Sequence, residues 1–213
     1  MKKKLYQLFR ILIGKKTLPL EDESHNNEVL KENIKYKEVK TSYGSILYFC
    51  KNENEVPVDI DIKHNITTKN KKKHYIDHAL LTSIAPGKEA VAEIYMCCVP
   101  EEHKDSYVTI EVSESIEDNY NDKIKLSHKD TGKNIELKIK NESNKKLDTL
   151  SIIVLYYKKK EIIDTYHYEE KYINENEEFT LDIEYPINEE EKQISFDKYK
   201  VILNQASKAD WFK

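Results

Sequence analysis

The chain repeats itself at a fixed spacing, and no other feature of the sequence constrains its fold as strongly. Residues 46–55 read ILYFCKNENE and residues 135–144 read IELKIKNESN, so the triplet Lys-Asn-Glu that begins at Lys51 recurs at Lys140, 89 positions later. A polar loop followed by an alternating apolar run begins at 84 and again at 173, also 89 positions apart. Two separated stretches with one spacing indicate two copies of a single structural unit.

The residue pattern inside each copy is typical of β-strands. In the second copy Ile135, Leu137 and Ile139 alternate with polar residues, and residues 150–157 (LSIIVLYY) form a β-branched and aromatic run. The same alternation predicts the following inward-facing residues in the first copy: Ile46, Tyr48, Cys50, Ala90, Ala92, Ile94, Met96 and Cys98. Helical spacing is not evident after residue 35, so the sequence predicts an all-β fold.

Length and composition fit two small folded units. The chain has 213 residues, and we place one β-sandwich at 35–115 and the other at 121–206, each of a size that such sandwiches usually have. Charged residues make up 35% of the chain, but acids and bases nearly cancel to a net charge of −4, and there are 15 tyrosines. Disordered chains usually combine high net charge with few aromatic residues.

The N-terminal segment 1–20 differs from the rest because its apolar residues follow helical spacing. One face of the helical wheel carries Leu5, Leu8, Phe9, Leu12 and Ile13. Lys3, Gln7 and Arg10 lie opposite, and Arg10 would add a positive charge to a docking surface. The pattern predicts a basic amphipathic helix that is too short to span a bilayer. Its apolar face needs a partner: an anionic membrane surface, a groove on another protein, or the first sandwich of the same chain.

The remaining segments connect or end these units. Residues 21–34 (EDESHNNEVLKENI) are predicted to form an acidic linker, and residues 116–121 a short connection. Residues 207–213 form a tail with the aromatic pair Trp211 and Phe212, which we expect to cap the second sandwich.

The second copy resembles the FxLYD-like domain, a small immunoglobulin-like sandwich of bacteria. The resemblance lies in the polar turn that ends 135–144, the aromatic strand and hairpin at 150–165, and the strand regions 179–186 and 199–206. The first copy also has the Pro-Gly loop, at Pro86, that commonly precedes the next strand in this family. The resemblance implies two tandem immunoglobulin-like sandwiches, and it implies no activity because the family defines no catalytic residues.

One cluster of histidine and cysteine is a candidate for chemistry. His74 and His78 have the spacing of zinc ligands on a helix, and Cys97 follows as the nucleophile or further ligand of a metal- or thiol-dependent enzyme. In a strand the same spacing separates two residues by about 13 Å, too far to share one ion. We therefore favour surface-loop histidines, and predict neither catalysis nor a metal or cofactor.

Two lysine runs lie near corresponding hairpin tips of the two copies. They are Lys71, Lys72 and Lys73 in the first copy and Lys158, Lys159 and Lys160 in the second. Basic loops of this kind can contact nucleic-acid phosphates. Aromatic residues do not alternate with these lysines, and lysines at strand edges also prevent aggregation, so we disfavour nucleic acid as a partner.

Together these features predict a non-catalytic binding or assembly protein. The N-terminal helix would dock it on a protein partner, a larger assembly or the membrane periphery, and the two sandwiches would serve as spacer or recognition surface. The three cysteines show no disulfide framework, which indicates a reducing, cytoplasmic compartment. The bias toward Lys, Asn, Ile and Glu is typical of AT-rich genomes and, with the family resemblance, indicates a bacterial or phage source.

Overall fold

The computed structural model describes residues 27–68, 74–95, 103–188 and 190–209. Within these ranges nearly all regular structure is antiparallel β-strand, which confirms the all-β prediction. The exceptions are a short helix, α1, at 27–32 and a single 3₁₀ turn at Asn121–Lys123. In the described part of the chain, no helix is both long enough and apolar enough to cross a bilayer.

Thirteen strands follow one another along the described residues. The first half of the chain contains β1 (Ile34–Lys40), β2 (Ser45–Asn52), β3 (Val58–Thr68), β4 (His74–Ile84), β5 (Glu89–Tyr95) and β6 (His103–Glu114). The connection contains β7 (Glu117–Asn119). The second half contains β8 (Ile124–Asp130), β9 (Asn134–Asn141), β10 (Leu147–Lys158), β11 (Glu161–Ile173), β12 (Glu178–Glu184) and β13 (Lys198–Ala209).

Each half contains two sheets with the same strand order. In the first half, sheet 1 has the order β1-β2-β5 and sheet 2 the order β4-β3-β6. In the second half, sheet 3 has the order β11-β10-β13 and sheet 4 the order β12-β9-β8, so every strand of one half has a counterpart in the other. The connection adds β7 to sheet 3 beside β13, where the sequence had indicated only a link.

The two sheets of each half enclose an apolar core. Ile46, Tyr48 and Cys50 of sheet 1 pack against residues of sheet 2, as the alternation predicted, and Ile135, Leu137 and Ile139 lie in the corresponding core of the second half. Leu30 of α1 and Ile34 at the start of β1 are buried in the first core. These two residues belong to the predicted linker 21–34, so the first folded unit begins earlier than the charge pattern indicated.

The spacing of 89 residues extends to unusual backbone conformations. Ser83 and Tyr172 have φ angles of 51° and 63°, and Gly87 and Asn176 have φ angles of 72° and 58°. Each pair is 89 residues apart. This left-handed region is costly for residues other than glycine, and asparagine tolerates it best. The same bends therefore recur in both halves because the strands they connect recur.

A buried asparagine holds the loop after the second strand of each half. The Nδ2 of Asn52 donates to the carbonyl oxygens of Val56 and Ile84, both at 2.8 Å. The Nδ2 of Asn141, at the equivalent position, donates to the carbonyl oxygens of Lys145 and Asn174, both at 2.9 Å. Both asparagines are fully buried. Their amides satisfy backbone groups that the strands leave unpaired.

We expect Asn141→Ala to destabilise the protein by about 2 kcal/mol, because two carbonyl oxygens and the amide of Ser143 lose their partner. The measurement is the urea unfolding midpoint. The control is Asn144→Ala, an exposed asparagine of the same loop, which should shift the midpoint little. Equal effects of the two substitutions would contradict the role given to Asn141.

Candidate functional site

The outer face of sheet 1 packs against the outer face of sheet 3, and we call this contact the seam. Leu47 and Val91 point away from the first core because their strand neighbours point into it. The buried centre of the seam consists of Leu47, Val91, Ile153, Leu155, Ile162 and Ile202. Each such side chain contributes about 1.5–3 kcal/mol when it leaves water. The two halves are therefore joined by an apolar contact of their own, separate from either core.

Beside this apolar centre, a buried carboxylate joins the two halves. The Oε1 of Glu93 accepts hydrogen bonds from the hydroxyl groups of Tyr43, at 3.0 Å, and Ser45, both in the first half. Its Oε2 accepts one from Thr165 and lies 2.6 Å from Nε2 of His167, both in the second half. The Glu93 side chain is 1% exposed. A carboxylate so placed is tolerated because its oxygen atoms are fully hydrogen-bonded.

The surrounding hydrogen bonds keep Glu93 ionised. Burial by itself would raise the pKa of its carboxyl group. The four hydrogen bonds, that with His167 foremost, outweigh burial and lower the pKa to about 2. Burial also raises the pKa of the Tyr43 hydroxyl above its ordinary range, so that group stays a proton donor to Glu93. The Glu93 carboxyl group is therefore ionised at the seam under neutral conditions.

Asn204 makes a third contact across the seam. Ile152 pairs with Leu203 and Ser151 with Gln205, so Asn204 is the extra residue of a β-bulge in β13. Its Oδ1 accepts the backbone N–H of Val91 and its Nδ2 donates to the carbonyl oxygen of Val91, each at 2.9 Å. Val91 lies on β5, an edge strand of sheet 1. The Asn204 amide thus pairs with Val91 as a residue of a neighbouring strand would, and satisfies both backbone groups of Val91 on this edge.

On another side the seam opens into a cleft of about 760 Å³, which we call the seam cleft. It lies between β1 and β2 of the first half and the turn between β10 and β11 of the second. Its cationic lining residues are Lys35, Lys37, Lys40, Lys51, Lys160 and Lys200. Its acidic lining residues are Glu89 and Glu161. Six lysines and two glutamates give the lining a formal charge of +4, opposite in sign to the −4 of the whole chain.

Half of these lysines have acidic partners. Nζ of Lys200 lies 2.9 Å from Glu89, an ion pair that also spans the seam. Lys51 and Lys35 lie 3.2 and 4.0 Å from Glu53. The other three, Lys37, Lys40 and Lys160, form no ion pair with the residues that the structure describes. The cleft therefore presents uncompensated positive charge contributed by both halves.

The N-terminal docking residues lie outside the described residues. They are Leu5, Leu8, Phe9, Arg10, Leu12 and Ile13. The tail residues Trp211 and Phe212 and the inward-facing candidates Met96 and Cys98 lie outside them as well. The predictions for all these positions stay predictions.

The histidine and cysteine cluster is only partly described. His74 and His78 both lie on β4, so this stretch is a strand and not the surface loop that we expected. Four residues along a strand span about 13 Å. The His78 side chain is 68% exposed, with Nδ1 3.7 Å from Asp61. Cys97 lies outside the described residues, while Cys50 is buried in the first core, and burial raises the pKa of its thiol to about 12.

The second lysine run forms a hairpin tip, as its sequence indicated. Lys158 ends β10 and the turn follows at Lys159, which has a φ of 58°. Lys158 donates to the hydroxyl of Ser195 at 2.8 Å, while Lys160 lines the seam cleft. The corresponding lysines of the first run, Lys71, Lys72 and Lys73, lie outside the described residues. Only one residue of the two runs is thus brought to the cleft in the described structure.

Sequence reasoning missed the seam and its cleft. The available signal was that residues 46–49 (ILYF) are apolar on both faces of a strand, whereas the equivalent 135–138 (IELK) are apolar on one. The signal for Glu93, Asn204 and the cleft lysines was absent, because alternating polar residues are equally typical of a solvated face.

Comparison with known proteins identifies neither a family nor a function for this site. No protein-family model matches the chain, and a search of curated proteins gives no match. The resemblance of the second copy to the FxLYD-like domain accordingly stays a prediction. Over the described residues, the structure is mostly β-sheet, and its two halves meet at a seam with a buried carboxylate and an open basic cleft.

Glu93 should make the protein acid-sensitive in a defined window. Its pKa falls from an ordinary 4.5 to about 2 in the folded state, so its stabilising contribution is complete above about 4.5 and is lost as the pH falls toward 2. The expected loss is at most roughly 3 kcal/mol. Urea unfolding at a series of pH values should show this loss in the parent protein and not in Glu93→Gln.

The control for this prediction is Asp182→Asn. Asp182 occupies the position equivalent to Glu93 in the second half, where it is exposed. This substitution removes the same charge and should leave the acid dependence close to that of the parent. A Glu93→Gln protein that loses stability between pH 4.5 and 2 in parallel with the parent would disprove the role of Glu93.

Proposed function

We propose that the chain is a non-catalytic binding or assembly protein made of two tandem immunoglobulin-like β-sandwiches that act as one rigid body. The observation that carries the proposal is the seam, which joins the halves by an apolar centre, the Glu93 cluster and the Asn204 contact. The repeated strand order and the resemblance to the FxLYD-like domain support the immunoglobulin-like assignment. A rigid pair of sandwiches presents one composite surface, which suits a spacer or recognition role.

The N-terminal segment is the docking element in this proposal. Its apolar face, formed by Leu5, Leu8, Phe9, Leu12 and Ile13, would bind a groove on a protein partner or assembly, with peripheral membrane contact as the second candidate. Six residues, 21–26, separate the segment from α1, whose Leu30 is buried in the first core. The docking element would therefore be joined to the rigid body through these six residues, in a cytoplasmic protein of bacterial or phage origin.

Leu47→Glu tests the rigid body. The equivalent position in the second half is Glu136, on a face that packs against no other sheet among the described residues, so the fold of one half accommodates this residue. We expect Leu47→Glu to separate the halves without unfolding them, because a buried carboxylate at the seam would lack partners. Small-angle scattering should show a larger radius of gyration, and thermal unfolding two transitions in place of one.

The control for Leu47→Glu is Lys138→Glu, an exposed substitution on the outer face of sheet 4. It should change neither the radius of gyration nor the number of transitions. If Leu47→Glu leaves both quantities as in the parent, the seam does not hold the halves together, and the rigid-body proposal is wrong.

Leu8→Glu tests the docking element, with Gln7→Glu as a control that adds the same charge on the opposite face. We expect Leu8→Glu to abolish either the recovery of a specific protein from a bacterial lysate or co-sedimentation with anionic vesicles, because it places a carboxylate in an apolar contact. Gln7→Glu should retain that binding. If Leu8→Glu binds as the parent does in both assays, the segment packs on its own chain and the docking role is refuted.

A further inference from the structure

We propose that the seam cleft binds an extended acidic segment of a partner protein, held along the open edge of β1. This would be a second binding site, beyond the docking role proposed above, and it does not depend on the N-terminal segment. The cleft volume of about 760 Å³ is in the range of protein ligand pockets. The cleft also lies between the halves, where binding sites frequently occur.

The charge of the cleft identifies the ligand as an anion. Lys40 and Lys160 come from different halves and line the same cleft, so the seam itself brings their charges together. Like charges gathered in a concave surface raise the free energy of the unoccupied site, and the low-dielectric walls strengthen the field that an anion experiences. Lys37, Lys40 and Lys160 form no ion pair with the described residues. An acidic ligand would supply partners for these lysines.

The backbone of β1 identifies the shape of the ligand. Lys35, Tyr36 and Lys37 all line the cleft, although successive side chains of a strand point to opposite faces. The cleft therefore follows the edge of β1 and not only one face. β1 ends sheet 1, and its outer edge makes no backbone hydrogen bond to any described residue. An extended peptide can add to such an edge as a further strand.

These two features favour a peptide over other anions. A phosphodiester chain has no alternating N–H and C=O groups to pair with a strand edge. Phe49 and Tyr157 line the cleft but pack on the apolar centre of the seam, which leaves Tyr36, 55% exposed, as the single lining ring open to a stacked base. One open ring is not the series of stacking platforms that successive bases of a nucleic-acid strand use. A bilayer surface is flat on this scale and does not enter a concave site. Lysines placed along an extended strand suit carboxylates that recur at every second residue.

The test uses the full chain and a fluorescent eight-residue peptide of alternating Glu and Val, with fluorescence anisotropy as the readout. Matched probes are the alternating Gln-Val peptide, an oligothymidylate of eight nucleotides and anionic vesicles. We expect the Glu-Val peptide to bind at 50 mM salt, more than ten-fold tighter than the Gln-Val peptide, and to weaken several-fold at 300 mM salt. Hydrogen exchange of backbone amides in Ile34–Lys40 should slow when the peptide binds.

The decisive variant is Lys37→Gln with Lys160→Gln, which removes one unpaired charge from each half. We expect it to weaken peptide binding about ten-fold. The control is Lys125→Gln with Lys129→Gln on β8, the counterpart of β1, where both lysines are exposed. The control variant has the same net charge and should bind as the parent does. Leu8→Glu should also bind the peptide normally, so failure of the docking proposal would not imitate failure of this one.

Three results would overturn the proposal. The first is equal weakening in the cleft variant and the β8 control, which would show binding by net charge alone. The second is oligothymidylate or vesicle binding tighter than that of the peptide and lost in the cleft variant, which would assign the cleft to phosphate-bearing ligands. The third is the absence of measurable Glu-Val peptide binding at 50 mM salt.

Discussion

The apolar contact of Leu47 and Val91 with Ile153 and Leu155 is the interaction on which the arrangement of the two halves depends. Each half already has a core between its own sheets, so local strand pairing does not determine how the halves are placed. The seam removes from water the outer faces of sheets 1 and 3, which would otherwise form exposed apolar patches. Without this contact the basic cleft would not exist, because its lysines come from both sides.

The apolar residues that form the seam on sheet 1 are not repeated in the second half. There, sheet 4 is the counterpart of sheet 1. The positions equivalent to Leu47, Phe49 and Val91 hold Glu136, Lys138 and Thr180. Charged and polar residues there oppose the head-to-tail contact that would otherwise continue into a filament. On the first half, sheet 2 is the counterpart of sheet 3. Lys63 of sheet 2 pairs with His78, and Ile153 of sheet 3 pairs with the equivalent His167. A lysine thus stands on sheet 2 where sheet 3 contributes an apolar residue to the seam.

Much of the fold could be predicted because it depends on short-range patterns. Alternation placed Ile135, Leu137 and Ile139 on one buried face, and the spacing of 89 residues located the equivalent strands to the residue for β2 with β9. Asn52 and Asn141 recur because each copy needs the same loop satisfied. Alternation in a strand shows which of its two faces is buried, but not what covers that face. The run at 46–49, which is apolar on both faces of β2, was the one sign that sheet 1 makes a second contact.

The polar parts of the site could not be predicted, because the same residue type has opposite roles in the two halves. Glu93 and Asp182 are acids at equivalent positions of the two halves. The Glu93 side chain is buried, whereas Asp182 is exposed. The difference comes from His167 and Thr165, more than 70 residues away in sequence. Apolar contact by itself is non-directional. The hydrogen bonds to Glu93 and the Asn204 amide on Val91 have directional requirements, so they select one placement of the halves among those that bury similar area.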